Sequence, residues 1–300
     1  MQKSSIFSIR KSGVISILGI FISFFFSGCS KDPLTLIIPE KTTDITTSNL
    51  SYEDKTNLSY GTSPYQKYDI SLPSTCNSQS PVIVLLHGGA WRYSDKNTLN
   101  FLVTDLKNRR VNCAIVNANY RLASVGSGVT FREQVADIGT LLHKLQNDAK
   151  SLGIGNEFYL VGLSSGGHLA LLYTSSADDD HLVSGIAGIV PPLNLTSPEI
   201  RTGIIGADIQ QVIGKPYSQA PEEYQNASPI YHANLGKIPT ILFYGGKDNI
   251  ITTEQSMTAK LTVTKKLACN EHYFYPDQTH DWSAWTETID HIISFAEKNL

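Results

Sequence analysis

Apolar residues along the chain come in short blocks that switch between two periods. Tyr68, Ile70 and Leu72 alternate with polar residues, as a half-buried strand requires. Pro81 to Leu86 (PVIVLL) is a continuous, largely β-branched run, which predicts a strand covered on both faces. Lys96 to Arg110 reads as a helix and Val111 to Asn117 as another buried strand. Phe131, Val135, Ile138, Leu142 and Leu145 recur at spacings of three and four, so one face of a helix is apolar there. Phe158 to Leu163 predicts a strand that runs directly into a helix of small residues from Ser165. Gly185 to Val190, Pro239 to Tyr244 and His272 to Tyr275 predict three more strands, while Thr253–Leu267 and Trp282–Lys298 read as helices. Strands alternating with helices predict an α/β domain with a mostly parallel sheet and helices on both faces.

One stretch breaks the alternation. Pro191 to Lys237 carries Gly, Pro and short polar clusters instead of one clean helix. A connection this long is seldom bare loop inside a compact domain, so residues 191–237 read as a lid-like insertion over the catalytic face. Residues 29–64 are rich in Thr, Ser, Asn and Lys without a sustained apolar period. They read as a tether, with room for an edge strand in their later part. The globular domain is then expected over residues 65–300, and no solenoid or propeller period is visible.

The N-terminus narrows the cellular setting. Lys3, Arg10 and Lys11 precede an apolar run from Val14 to Phe26 that closes on Ser27-Gly28-Cys29. A basic segment, a short apolar core and small residues before a cut site describe a secretory signal peptide over residues 1–28. The run is shorter than the ~20 residues a membrane-spanning helix needs. Phe26-Ser27-Gly28-Cys29 resembles a bacterial lipobox, whose cysteine is diacylated and becomes the new N-terminus, although Phe26 stands where Leu is usual. The resemblance implies an exported lipoprotein, held in the cell envelope or at its surface by a lipid on Cys29. An ordinary signal peptide with an incidental cysteine is the alternative.

Composition then removes some classes. Of 300 residues, 41% are hydrophobic, enough for one large core. Charged residues make up 17% and the formal net charge is −3, so no basic field draws in nucleic acid. Beyond Cys29 there are Cys76, Cys113 and Cys269, an odd number that permits at most one internal disulfide. None sits at zinc-ligand spacing, and no metal site is expected. Cys113 lies in an apolar strand and reads as a small buried residue.

The chemistry is carried by four segments. Gly162-Leu163-Ser164-Ser165-Gly166 sits between a predicted strand and a predicted helix, the setting of a nucleophile elbow centred on Ser164. Phosphate-binding turns are also Gly-rich, but a P-loop would need a Lys that this turn lacks. His87-Gly88-Gly89-Ala90-Trp91 follows the PVIVLL strand, where close-packed backbone N–H groups can face a developing oxyanion. The amides of Gly89, Ala90 and Ser165 are the expected donors. Asp248 follows the strand ending at Tyr244, and His280 follows the strand ending at Tyr275, so both are placed on the ligand-binding edge of the sheet. Acid before histidine is the chain order this elbow requires. Asp277 and Asp281 are the rival acids, poorly placed in sequence to reach the far nitrogen of His280. Of the other histidines, His143, His168 and His291 fall on predicted helices and read as structural, and His181, His232 and His272 match no motif.

Together these segments resemble the hormone-sensitive-lipase-like and feruloyl/acetylxylan-esterase-like branches of the α/β-hydrolases. The resemblance runs from about Tyr65 to Leu300 and includes HGGAW, Asn119-Tyr120-Arg121-Leu122, GLSSGGHLA, Asn226-Ala227-Ser228-Pro229, YGGKD and the final Thr279-His280. Such esterases often carry Asp-Ser where this chain has Leu163-Ser164, and HGGG where it has HGGAW. The resemblance implies an α/β-hydrolase fold and a Ser164–His280–Asp248 triad. It also implies scaffold roles for Arg121 and Asp137, a small-molecule or carbohydrate ester as substrate, and no cofactor. A bulky Trp91 beside the oxyanion hole is expected to narrow the acyl site, with simple packing under the lid as its alternative. The same machinery serves amidases such as kynurenine formamidase, and peptidases, whose usual propeller domain has no room here. A catalytically silent ligand-binding lipoprotein would be marked by loss of a triad member, and all three candidates are present.

Overall fold

The structure is a computed structural model that describes residues 50–299. The segment read as a signal peptide, Cys29 and most of the stretch read as a tether lie outside the described residues. Eight strands form one sheet: β1 (Tyr52–Ser59), β2 (Lys67–Pro73), β3 (Val82–Leu86), β4 (Ala114–Ala118), β5 (Phe158–Leu163), β6 (Val183–Ile189), β7 (Thr240–Gly245) and β8 (Glu271–Tyr275). Their spatial order is β1-β2-β4-β3-β5-β6-β7-β8. β2 is antiparallel to β1 and β4, and all later pairs are parallel.

β1 lies within the stretch read as tether, and the folded domain therefore begins earlier than residue 65. Its burial is slight, with Glu53, Asp54 and Asn57 exposed along the edge. It is tied down from Tyr52, whose hydroxyl donates to Val111 O at 2.7 Å, to Ser59, which pairs with Lys67. β3 sits between β4 and β5 with all five residues buried, as its apolar run demands.

Helices cover both faces. On one side pack α2 (Phe131–Leu152), α3 (Ser165–Ser176) and α7 (Thr253–Val263), burying Leu141, Leu142, Leu145, Leu169, Leu172 and Val263 against Val84, Leu86 and Leu160. On the other pack α1 (Asn100–Asn108) and α8 (Trp285–Asn299), burying Leu102, Leu106, Ile289, Ile292 and Phe295 against Ile83, Leu85, Val161 and Phe243. Burying each such side chain contributes about 1.5–3 kcal/mol over leaving it in water. α2 starts at a capping box between Thr130 and Glu133 and stops at Gly153, which takes the left-handed conformation. The segment read as one helix from Lys96 begins instead as a 3-10 turn over Lys96–Leu99, capped by Asp95.

The insertion contains three short helices, α4 (Pro198–Thr202), α5 (Gly206–Ile213) and α6 (Pro221–Asn226), and a 3-10 turn over Pro229–Tyr231. Ile200, Ile209, Val212 and Tyr224 bury its underside. Its two ends are joined: Leu195 N donates to Ser228 Oγ at 2.8 Å, and Ile230 N to Leu193 O at 3.3 Å. Gln255 of α7, fully buried, accepts from Leu193 N and Asn194 N at 2.9 Å each.

Candidate active site

Between β5 and α3 the chain turns at Ser164, whose backbone takes φ 50°, ψ −119°. A non-glycine residue held there costs on the order of 1–3 kcal/mol and persists only where its surroundings over-determine it. Ser164 N donates to Ile189 O at 2.7 Å, and Ser164 O accepts from His168 N at 2.9 Å, the first turn of α3. Gly166 is demanded by close approach, since a Cβ there would lie 2.2 Å from Leu86 O.

The other two residues arrive from neighbouring strand ends. Asp248 follows β7 and is buried; its Oδ1 accepts from Ile250 N and Ile251 N at 2.8 Å each. Its Oδ2 accepts from His280 Nδ1 at 2.8 Å, and His280 Nε2 lies 3.1 Å from Ser164 Oγ. The ionised carboxylate can only accept, so the imidazole proton sits on Nδ1 and Nε2 is free to accept from the serine hydroxyl. Such a relay can take the Ser164 proton as Oγ attacks a carbonyl carbon, then return it to the leaving group. Asp277 faces elsewhere. It pairs with Lys247 Nζ at 2.6 Å on the surface, and that hydrogen bond and charge hold its carboxyl below the usual range. Asp281 lines the mouth of the cleft.

Gly89, Ala90 and Trp91 take φ values of 119°, 47° and 63°, three left-handed residues in succession. The turn is closed by Arg92 N and Tyr93 N, which donate to Gly89 O at 3.0 and 2.9 Å. Trp91 O accepts from Gln134 Nε2 at 2.7 Å and Ala123 N at 3.0 Å. Gly89 and Ala90 line the same cleft as Ser164 and His280. Their amides, and that of Ser165 at the head of α3, donate to no acceptor among the described residues. Three free N–H groups around one serine can take up the charge of an oxyanion.

Trp91 borders the same cleft, but its ring is anchored below the surface. It is fully buried, and its Nε1 donates to His168 Nδ1 at 3.0 Å beneath the loop. That bond anchors the ring beneath the left-handed turn at Ala90 and Trp91, so the side chain supports the loop from the edge of the cleft. The cleft itself has a volume of about 470 Å³. Leu163, Ile205, Ile250, Tyr93 and Trp285 line it, together with Asp208 of α5. Asp208 Oδ1 accepts from Arg92 Nη1 at 2.6 Å, joining the lid to the HGGAW loop. These lining residues were not distinguishable in the sequence. The one available signal was two tryptophans, Trp282 and Trp285, directly after His280.

Asp137 is buried and accepts from Arg121 Nη2 at 2.6 Å, Arg121 N at 2.9 Å and Gln66 Nε2 at 2.8 Å. The pair holds the segment after β4 to α2, away from the cleft. Among the described residues no cluster of His, Cys, Asp and Glu can hold a metal ion, and no helix is long and apolar enough to cross a membrane.

A β2 antiparallel to both its neighbours, parallel pairs through the rest of the sheet in this strand order and a serine elbow after β5 define an α/β-hydrolase. The chain belongs to the BD-FAE family, whose sequence model matches residues 68–262. Kynurenine formamidase of Salmo salar is 25% identical over 207 residues, covering 59% of this chain and 67% of that protein. Isoprenylcysteine alpha-carbonyl methylesterase ICME of Arabidopsis thaliana is 30% identical over 252 residues, covering 77% and 57%. The chain thus spans about half to two thirds of the length of the curated relatives it matches. A bifunctional GH43-CE protein of Bacteroides eggerthii shares the fold with a TM-score of 0.71 at 18% identity, over 82% of this chain and 38% of that one.

Proposed function

We propose that the protein is a serine carboxylesterase that hydrolyses short-acyl esters with Ser164 as nucleophile, His280 as base and Asp248 as the orienting acid. The observation that carries this reading is the unbroken relay from Ser164 Oγ through His280 to the buried Asp248. The amides of Gly89, Ala90 and Ser165 form its oxyanion hole, and no cofactor enters the reaction. A cleft of about 470 Å³, bordered on the insertion side by Ile205 and Asp208, suits a small acyl group. A long chain would leave each surplus CH₂ in water, forfeiting about 0.8 kcal/mol of burial. Carbohydrate acetyl or feruloyl esters are the favoured natural substrates, met outside the cytoplasm by a protein anchored through a lipid on Cys29.

A formamidase reading has its own support in the kynurenine formamidases among the relatives. The test is kcat/KM on p-nitrophenyl esters from acetyl to palmitoyl, beside acetylated and feruloylated xylan and N-formylkynurenine. Efficiency is expected to fall with chain length and to vanish in Ser164→Ala. A rise towards palmitoyl makes the protein a lipase, and preference for N-formylkynurenine makes it an amidase.

A further inference from the structure

His168 lies one turn into α3, fully buried in a helix of small and apolar residues. Both its ring nitrogens are committed. Trp91 Nε1–H donates to Nδ1 at 3.0 Å, and Nε2–H donates to Ala227 O at 2.7 Å. An indole N–H only donates and a carbonyl only accepts, so the two bonds fix a single neutral tautomer with Nδ1 bare. The Trp91 and His168 rings meet edge to face at 5.1 Å. Burial pushes the imidazole pKa down to about 4, so the ring stays uncharged near neutral pH.

The two partners sit at telling places. Trp91 closes the run of three left-handed residues whose first two amides face the cleft, and Ala227 ends the lid's last helix. Left-handed conformations at Ala90 and Trp91 are unfavourable on their own and need an outside anchor. The carbonyl of Trp91 is held by Gln134 and Ala123, and the single polar atom of its side chain is held by His168.

We infer that His168 is a positioning residue for the oxyanion hole: through the Trp91 indole it keeps the amides of Gly89 and Ala90 aimed at the reacting carbonyl. The inference rests on the serine-esterase reading. Oxyanion donors act more on the transition state than on bound substrate, so loosening them lowers kcat and leaves KM nearly unchanged.

The test compares Trp91→Phe, His168→Gln and His168→Asn on p-nitrophenyl butyrate, with Ser164→Ala as the reference and circular dichroism as the check on folding. Phe keeps an aromatic ring and loses the donor. Gln can still reach Ala227 O but offers nothing where Nδ1 stood, whereas Asn restores an acceptor there. Trp91→Phe and His168→Gln are expected to lower kcat about 10- to 100-fold, with KM within about threefold. Fluorophosphonate labelling of Ser164 should slow in step, and His168→Asn should recover at least about threefold of the loss seen in His168→Gln. Wild-type kcat in Trp91→Phe, or equal losses in the Asn and Gln variants, overturns the inference. If the His168 variants do not fold, Trp91→Phe alone decides. Activity that survives Ser164→Ala would instead take down the esterase reading itself.

Discussion

Replacing Asp248 with Asn separates the acid that the hydrogen bonds select from its sequence rival. Asp248 Oδ1 is held by the amides of Ile250 and Ile251, and Oδ2 faces His280 Nδ1. An Asn side chain in that pocket satisfies the two amides with its oxygen, which turns its NH₂ group towards His280. Nδ1 must then accept, so the imidazole proton moves to Nε2, where it faces Ser164 Oγ and blocks proton abstraction. The same substitution in a serine protease triad lowers kcat about 10⁴-fold by this change of tautomer, which corresponds to about 5 kcal/mol of barrier. A loss of that order is expected here, with the fold intact because every hydrogen bond at the buried site keeps a partner. Asp277→Asn removes only an exposed pairing with Lys247 and should leave kcat within about threefold. Steady-state kinetics of both variants on p-nitrophenyl butyrate, with thermal midpoints, provides the measurement. Equal losses, or a larger loss in Asp277→Asn, would refute the placement of the acid.

Gly89→Ala should abolish most activity, by at least about 100-fold in kcat. Its Cβ would lie 2.2 Å from Tyr93 O at φ 119°, so the loop that carries two of the proposed oxyanion donors cannot keep its shape; a variant with near wild-type kcat rejects this. The depressed pKa of His168 sets a pH dependence, because between about 4 and 6.5 the unfolded chain binds a proton that the folded chain refuses. That contribution is complete above pH 6.5 and is lost as the pH falls towards about 4, on the order of 3 kcal/mol in all. Urea unfolding at pH 7 and pH 4.5 should show the drop, and His168→Asn should flatten it; an equally steep drop in the variant counts against His168. Cys29→Ser should release the protein from the membrane fraction, since stable anchoring takes more than one acyl chain. Wild-type protein found wholly soluble in the periplasm or medium would reject the lipid anchor.

The sheet was readable because its central strands are unbroken apolar runs, and β5 lies at the residues its pattern predicts. The four segments of the site were readable for a related reason: each sits just past a strand end, where a parallel sheet gathers distant residues at one edge. β1 was readable only as room for an edge strand, because a strand with one dry contact line can keep Glu53, Asp54 and Asn57 in water and so shows no apolar period. The direction of Trp91 was hidden too. It follows from positive φ at two residues that are not glycine, which no residue preference announces. His168 looked like inert packing because its partners are 77 and 59 positions away. The lining of the cleft depends on how α4 to α6 fold back, and short helices begun by Pro198 and Pro221 leave little periodicity to read.

The joined ends of the insertion bear on how such a protein changes over evolutionary time. Residues 196–227 leave and re-enter the body at adjacent points, closed by Leu195 with Ser228 and fixed by Gln255. Lengthening a closed excursion of this kind is cheap, about 0.6 kcal/mol for each doubling. Asp208 and Ile205, which line the cleft, lie inside it, while Ser164, Asp248 and His280 lie outside. Selection can therefore exchange the roof of the site as a cassette, altering what is recognised while the proposed reacting groups and the sheet beneath them stay as they are.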